Sequence, residues 1–378
     1  MKLTGIRSTA VGSMRPRTLR HFILSLVVLS LITLTGSGKH RAQSDAGTKF
    51  KPTDVQLLSI DSPTKDEDPS VIRARDGTLF VAWFSDRNGN PDIYITSSNN
   101  GADWTPAVRV TASPDGDFAP SLFQDDHGLF HLVWFRWSAL YRGHIWHNSS
   151  PDGLTWDQKT ETQVTTGLDV DDWVPTITQA PDGSLLVFFV SEKRNAVNPT
   201  NDVYVARKAP ADALWGPAVA VEGINSATEH DHLPFAARTG DRITLVWVRH
   251  DTAQFLPWLS AKSDLFYSTS TDGLAWKEPS RITNTNGNVV NLFPALFTNL
   301  DEQWYLEWLS TKSGQPKVFE LPLVDAGQYP VGLVKNKKLR AGYSHRSAPT
   351  STPGVFIGVW VEGPEGAQDI YYRFFKKK

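Results

Sequence analysis

Six times along the chain a proline opens an alternating, strand-like run in the same setting: DEDPSV (66–71), DFAPSL (117–122), DWVPTI (172–177), DHLPFA (231–236), NLFPAL (291–296) and RSAPTS (346–351). The prolines, at 69, 120, 175, 234, 294 and 349, are spaced by 51, 55, 59, 60 and 55 residues. Each opening leads to a polar turn (RDGT, DDHG, APDG, RTGD, NLDE, STPG). A second run follows, carrying Trp83, Trp134, Phe189, Trp247, Trp308 or Trp360 near its end. A third run comes after a variable loop. Period-2 strands at a repeat near 50 residues predict a β-propeller, and nothing after residue 50 reads as a strong helix. The last repeat stops after its third run, DIYYRFF, while DVQLLSI (54–60) stands alone before the first. That arrangement predicts an all-β domain over 46–378, a ring of six four-stranded blades closed by strand 54–60 joining the C-terminal blade, which hides sheet edges.

Between third and fourth strands the chain repeats a Ser/Asn/Asp-Gly-x-x-Trp cluster: TSSNNGADW (96–104), NSSPDGLTW (148–156), STSTDGLAW (268–276) and a worn KAPADALW (208–215). Side-chain-to-backbone hydrogen bonds, a glycine at positive φ and a packed Trp make this a structural turn, on the face opposite the one where first strands begin.

Composition narrows the function classes. The 378 residues carry a formal net charge of −2 and no Cys, so no nucleic-acid partner is expected and thiolate or disulfide chemistry is excluded. Residues 15–34, RPRTLRHFILSLVVLSLITL, put a basic flank before an apolar run at 22–34 that suits a signal peptide and is short for a membrane span. Residues 1–45 are thus expected to be a signal peptide with linker, giving a secreted or periplasmic protein. A membrane tether through 22–34 is the alternative.

Three residues before each repeat proline stand Asp66, Asp117, Asp172, Asp231, Asn291 and Arg346. Equivalent positions converge on the pseudo-sixfold axis, so the four Asp are expected around one mouth of the channel. There they would bind a cation such as Ca2+, show raised pKa values, or pair with nearby Arg; a local Asx-turn before each Pro is the other reading. Cations for the same face come from the second-strand exits, Arg87, Arg136, Arg194 and Arg249, with Lys312 on the fifth blade. Trp173 and Trp258, on loops of that face, are candidates to stack on a sugar.

On these features the chain resembles the sialidase (neuraminidase) superfamily, specifically its six-bladed members with Asp-box (BNR) repeats. Asn99, Pro151 and Thr271 stand at the usual Asp position of that box. DGTLFVAWFSDRNGNPDIYITSSNNGADW (76–104) is similar to the family's first-blade stretch, which implies a pocket Arg at Arg87 and an acid/base role for Asp92; Asp92 also sits where later repeats keep the strand-opening Asp202 and Asp264. ATEHDHLPF with WVRHD places the family's Glu at Glu229 and one carboxylate-binding Arg at Arg249. AGYSHRS (341–347) places its Tyr nucleophile at Tyr343. In such enzymes Tyr, activated by Glu, attacks the anomeric carbon, and no cofactor is required. The chain departs from the family at Glu67, where an Arg is expected, and in blade five, where only Lys312 or Lys317 is available. The resemblance implies an exported exo-α-sialidase-like glycosidase whose partner is a glycan or glycoconjugate. The alternative is a non-catalytic propeller binding a glycan, a cation or a protein at the same mouth.

Overall fold

The computed structural model describes residues 54–59, 64–138, 142–167, 170–192, 194, 200–250, 262–284, 289–314, 316–323, 334–335, 343–364 and 366–377. The expectations for residues 1–45, for Trp258 and for the side chain of Tyr343 lie outside the described residues.

Six four-stranded antiparallel sheets form the blades of a propeller. The inner strands are Asp66–Arg73, Gly116–Gln124, Asp171–Gln179, His230–Thr239, Asn291–Thr298 and Tyr343–Pro349. Second strands run Leu79–Ser85, Phe130–Trp137, Leu185–Glu192, Arg242–His250, Trp304–Ser310 and Val355–Glu362. Third strands run Asp92–Ser98, Gly143–Ser150, Asp202–Lys208, Ser263–Ser270, Lys317–Pro322 and Asp369–Lys376. Two-residue outer strands complete five blades, and in the sixth that place is taken by Gln56–Leu57, paired with Tyr372 and Tyr371. The ring closes as the sequence requires.

The aromatic residue near the end of each second strand explains why the blades hold together. Trp83, Trp134, Trp247, Trp308, Trp360 and Phe189 are all buried to 1% exposure or less. Each removes 150–250 Å² from water, about 4–6 kcal/mol apiece.

The Ser/Asn/Asp-Gly-x-x-Trp turns are a second brace. In the NSSPDGLTW copy Ser150 Oγ accepts the Gly153 N–H, Asp152 Oδ1 accepts from Leu154 and Thr155, and Trp156 Nε1 donates to the Gly153 carbonyl. The STSTDGLAW copy repeats every one of these bonds with Ser270, Asp272, Gly273 and Trp276. Each Gly has a positive φ and presses on the preceding blade: a Cβ at Gly101, Gly153 or Gly273 would fall 2.2, 2.8 or 2.3 Å from Phe374, Phe80 or Leu186. These turns dock one blade on another.

Every inner strand is broken at one place by a register shift, between Glu67/Ser70, Phe118/Ser121, Trp173/Thr176, His232/Phe235, Leu292/Ala295 and Tyr343/Arg346. The first residue inside each bulge is left-handed: Asp68, Ala119, Val174, Leu233, Phe293 and Ser344, with φ between 46° and 53°. For residues with a Cβ this costs roughly 1–2 kcal/mol each. Five of the six stand before the repeat proline, whose missing N–H is no loss in a bulge that has left the ladder.

The same bulge corrects the phase of the sixth repeat. His345, not Pro349, occupies the proline position, because an unpaired bulge site tolerates a residue other than Pro. Arg346 is therefore the counterpart of Ser70 and Ser121, not of Asp66 and Asp117.

Candidate functional site

The carboxylates expected around the mouth are closed into their own blades. Asp66, Asp117, Asp172 and Asp231 are fully buried. Each accepts hydrogen bonds from the Arg at the exit of its blade's second strand. Arg87 Nη2 lies 3.1 and 3.2 Å from the two oxygens of Asp66, and Arg136 Nε and Nη2 lie 2.7 and 3.0 Å from those of Asp117. Arg194 Nε is 2.8 Å from Asp172, and Arg249 Nε and Nη2 are 2.7 and 3.2 Å from Asp231. The second-strand Trp joins in: Trp134 Nε1 donates to Asp117 at 2.9 Å, Trp247 Nε1 to Asp231 at 2.7 Å and Trp308 Nε1 to Asn291 at 3.1 Å. On its other side each guanidinium lies over a third-strand ring, Arg87 over Tyr94 at 4.4 Å, Arg136 over Trp146 at 4.5 Å, Arg249 over Phe266 at 4.6 Å and Arg194, more loosely, over Tyr204 at 5.9 Å.

This corrects the expectation of a carboxylate ring. Asp66, Asp117, Asp172 and Asp231, with Arg87, Arg136, Arg194 and Arg249, form four internal Asp–Arg cassettes. Their counter-charge is Arg, which displaces both Ca2+ and the Asx-turn as their explanation. Among the described residues no group of three or more His, Asp or Glu converges as a set of metal ligands. Burial still raises the Asp117 carboxyl and pushes Asp231 up to about 6, opposed by the Arg partners.

Asp92 also lies inside a blade. It is fully buried, opposite Ser85 on the neighbouring strand, and accepts from Arg109 Nη2 at 2.6 Å. Burial raises its pKa to about 6 against the pull of Arg109. Asp264 with Arg281 repeats the arrangement in blade four, so this is a tie between third and outer strands. Glu229 sits on the approach to the inner strand of blade four, where its N–H donates to Ser226 Oγ at 3.1 Å. Neither Asp92 nor Glu229 lines the mouth. Tyr343 is at the register position of Glu67, Phe118 and Trp173.

The bulge decides what does line the mouth. It breaks the alternation, so two successive residues, the last before the register shift and the left-handed one, reach the opening: Glu67 and Asp68, Phe118 and Ala119, Trp173 and Val174. Lys65, Asp171 and Glu192 join them from the strand ends beside. Lys65 Nζ is 3.1 Å from Glu67 Oε2 and 5.7 Å above the Phe84 ring. Asp68 Oδ1 accepts from Ser344 Oγ across the junction of blades one and six, at 3.0 Å. Burial raises the Asp68 pKa, opposed by Ser344, Lys65 and Arg346. Phe118 stacks on Phe135 at 5.3 Å, forming an apolar wall that continues to the half-buried Trp137. Trp173 lines the mouth as expected, but at 7% exposure it shows little of its face. Sequence reasoning missed Asp68, Asp171, Glu192 and Lys65. Only Asp68 carried a positional mark, standing immediately before a repeat proline; Lys65, Asp171 and Glu192 had none.

The mouth is therefore a pocket with aromatic walls and several carboxylates able to exchange protons with a polar ligand, with Arg346 at its floor.

No family model and no curated relative matches the chain. Solved structures do. A protein of unknown function from Dyadobacter fermentans superposes with a TM-score of 0.66 at 12% identity, over 87% of this chain and 99% of that one. An α-L-arabinanase from Penicillium chrysogenum, complexed with arabinobiose, gives 0.63 at 14% identity over 82% and 93%. The Hadza microbial sialidase Hz136 gives 0.57 at 12% identity, over 82% of this chain and 65% of that one. At these identities the likeness is one of fold: a six-bladed propeller shared with glycoside hydrolases that act on glycans.

Proposed function

We propose that the mouth is the active site of a glycoside hydrolase acting on a neutral glycan, in a protein exported through its N-terminal apolar run. The observation that supports this most is the concentration of Glu67, Asp68, Asp171 and Glu192 among aromatic side chains in one opening. Glycoside cleavage needs one carboxyl that arrives protonated at the leaving oxygen and another that is ionised. Asp68 suits the first role, since burial favours its protonated form. Glu67, beside Lys65, suits the second. An anionic sugar fits less well at the carboxylate-lined opening, which would repel it; Arg87, Arg136, Arg194 and Arg249 are held in the blade cassettes, and Arg346 lines only the floor of the mouth. The arabinanase neighbour's arabinobiose is a neutral sugar.

The sialidase reading, with Tyr343 as nucleophile but without Glu229, which stands outside the mouth, is the second candidate. The register of Tyr343 with the mouth-lining Glu67 and Trp173 favours it.

Both readings meet in one experiment: release of fluorophore from aryl α-L-arabinofuranosides, other neutral aryl glycosides and an α-sialoside by the chain, with Asp68→Asn and Tyr343→Phe alongside. Turnover of a neutral glycoside, reduced about 10²–10⁴-fold in Asp68→Asn, is the expected result. Sialoside turnover abolished only in Tyr343→Phe would replace it with the second reading. No turnover with retained glycan binding would mean a non-catalytic module. Export is checked separately, by locating the mature protein outside the cytoplasm and sequencing its N-terminus.

A further inference from the structure

Beneath the mouth lies a belt, called the waist below, to which each blade contributes one residue. These are the inner-strand residues that re-enter register after the bulge: Ser70, Ser121, Thr176, Phe235, Ala295 and Arg346. All but Ala295 line both the mouth and a lower chamber of about 590 Å³, so the two cavities meet here.

Arg346 reaches across this waist. Its guanidinium carbon lies 5.6 Å from the ring centre of Phe235, two blades away. It makes one hydrogen bond, from Nη1 to the His345 carbonyl at 2.8 Å, and among the described residues no carboxylate comes within ion-pairing reach of it. Two acids stand near. Asp68 is engaged by Ser344, and burial drives it toward its neutral form. Glu307 accepts from Ser347 Oγ at 2.8 Å and lies 3.1 Å from His345 Nδ1. Burial lowers the Arg346 pKa, but a guanidinium starts so far above neutrality that it stays charged. Arg346 is half-buried, and most of its five N–H donors are left by the protein to the channel, where they can meet an anion. The rest of the waist is suited to one. Ser70 and Thr176 hydroxyl oxygens accept backbone N–H groups, from Leu122 at 3.0 Å and Ala236 at 3.5 Å, which leaves their O–H groups to donate. The ring contains no carboxylate.

We propose that the waist is an anion site, in which the Arg346 fork and the hydroxyls of Ser70, Ser121 and Thr176 hold a planar, carboxylate-like monoanion. The anion comes either from solution or as the carboxylate of an acidic sugar reaching down from the mouth. A fork of two parallel N–H donors matches that shape. The site does not depend on the glycosidase reading, since neutral-glycoside turnover is measured without it.

The test is thermal unfolding of the full chain in sodium formate, sodium nitrate or sodium glucuronate. Ionic strength is held constant with a bulky sulfonate, and glucose is the neutral control. Formate or nitrate is expected to raise Tm by about 2–4 °C, with the rise lost in Arg346→Gln and reduced in Thr176→Val. Bromide-soaked crystals are expected to show an anomalous peak at the waist. Stabilisation by glucuronate without formate or nitrate, again lost in Arg346→Gln, would support the site and assign its anion to a sugar acid. Indifference of the wild type to all three anions would overturn the proposal, as would a full response retained in Arg346→Gln. If Arg346→Gln does not fold, an unchanged response in Thr176→Val together with no bromide peak at the waist also overturns it.

Discussion

Asp66 and Asp68 stand two residues apart on one strand, and their fates differ completely. Asp66 is fully buried and clasped by Arg87, whereas Asp68 faces the mouth and is held only by a serine hydroxyl from the neighbouring blade. The same contrast runs around the ring, with cassettes on the blade side and Glu67, Asp171 and Glu192 on the channel side. A carboxylate near the axis is therefore no mark of a site; what decides is whether it is closed into its blade beside the second-strand Arg or opens to the channel. One bulge, by turning the chain between positions 67 and 70, separates the two populations.

The contrast can be broken by the same substitution at both positions. Asp66→Asn leaves Arg87 charged, mostly buried and without its anion, so unfolding free energy should fall by about 3 kcal/mol, read from the urea midpoint at unchanged slope. Asp68→Asn should leave that midpoint within about 1 kcal/mol and instead reduce glycoside turnover at least 100-fold, about 2.7 kcal/mol of barrier. Equal stability losses from the two variants would erase the distinction.

A smaller effect tests the opposite face. Gly273→Ala puts a Cβ 2.3 Å from Leu186 at φ 78°, whereas Gly240→Ala, at φ 71°, meets nothing within 4 Å. Both carry the left-handed penalty of about 1–2 kcal/mol, and only Gly273→Ala should add a blade-docking loss of roughly 1 kcal/mol more. Calorimetric Tm values for the two variants would resolve it.

Blade four sharpens the comparison with a neutral polar cluster. His232 and His230 stack on His250 at 4.4 and 5.0 Å, with Trp173 edge-on to His232 and Asn201 bonded to His230. Burial lowers all three pKa values, helped at His232 and His250 by repulsion from neighbouring His rings and opposed at His230 by Glu192; His250 falls to about 3. Depressed folded-state values mean that the unfolded chain takes up protons first. The stability this stack provides is thus present above about pH 6.5 and lost as pH falls below it, by about 1.4 kcal/mol per pH unit for each histidine. Asp92 and Asp231, raised to about 6, work in the opposite direction between about pH 4 and 6, as do Asp68, Asp117 and Glu161, whose values burial also raises. His131, His144 and His147, lowered by burial, add to the stack's side and act from about pH 6.5 downward. Denaturation midpoints should fall from pH 7 to pH 5, and His250→Gln should flatten the slope.

The architecture was legible in the sequence because its signals are local. Alternating strands, glycine turns and a Trp near each second-strand end mark every blade independently. The site was less legible for two physical reasons. The bulge breaks strict alternation, so counting back from proline assigned the mouth to Asp66 and Asp117 when Glu67, Asp68 and Phe118 face it. In blade six the bulge holds His345 where the other five hold Pro, so Pro349 offered a plausible but wrong landmark and put Arg346 in phase with the wrong residues. Pairing of these Asp with nearby Arg was among the sequence expectations, but which of the expected fates applied depends on a contact between strands some 20 residues apart, which no single-strand pattern encodes.

The clasp that joins Gln56–Leu57 to the last strand has a consequence for how the chain finds its shape. Ser59 and Asp369, bonded across that clasp, are 310 residues apart. Closing a loop of that size costs on the order of 5 kcal/mol in entropy, more than two short pairings and their side-chain bonds supply unless the ring is already curved. The clasp should therefore form last. Until it does, the strand Asp369–Lys376, with its run of Tyr and Phe, presents a bare edge to every other chain in reach. On a ribosome the partner that covers this edge is made first and used last, so the interval between synthesis and closure is when the protein is most exposed to aggregation.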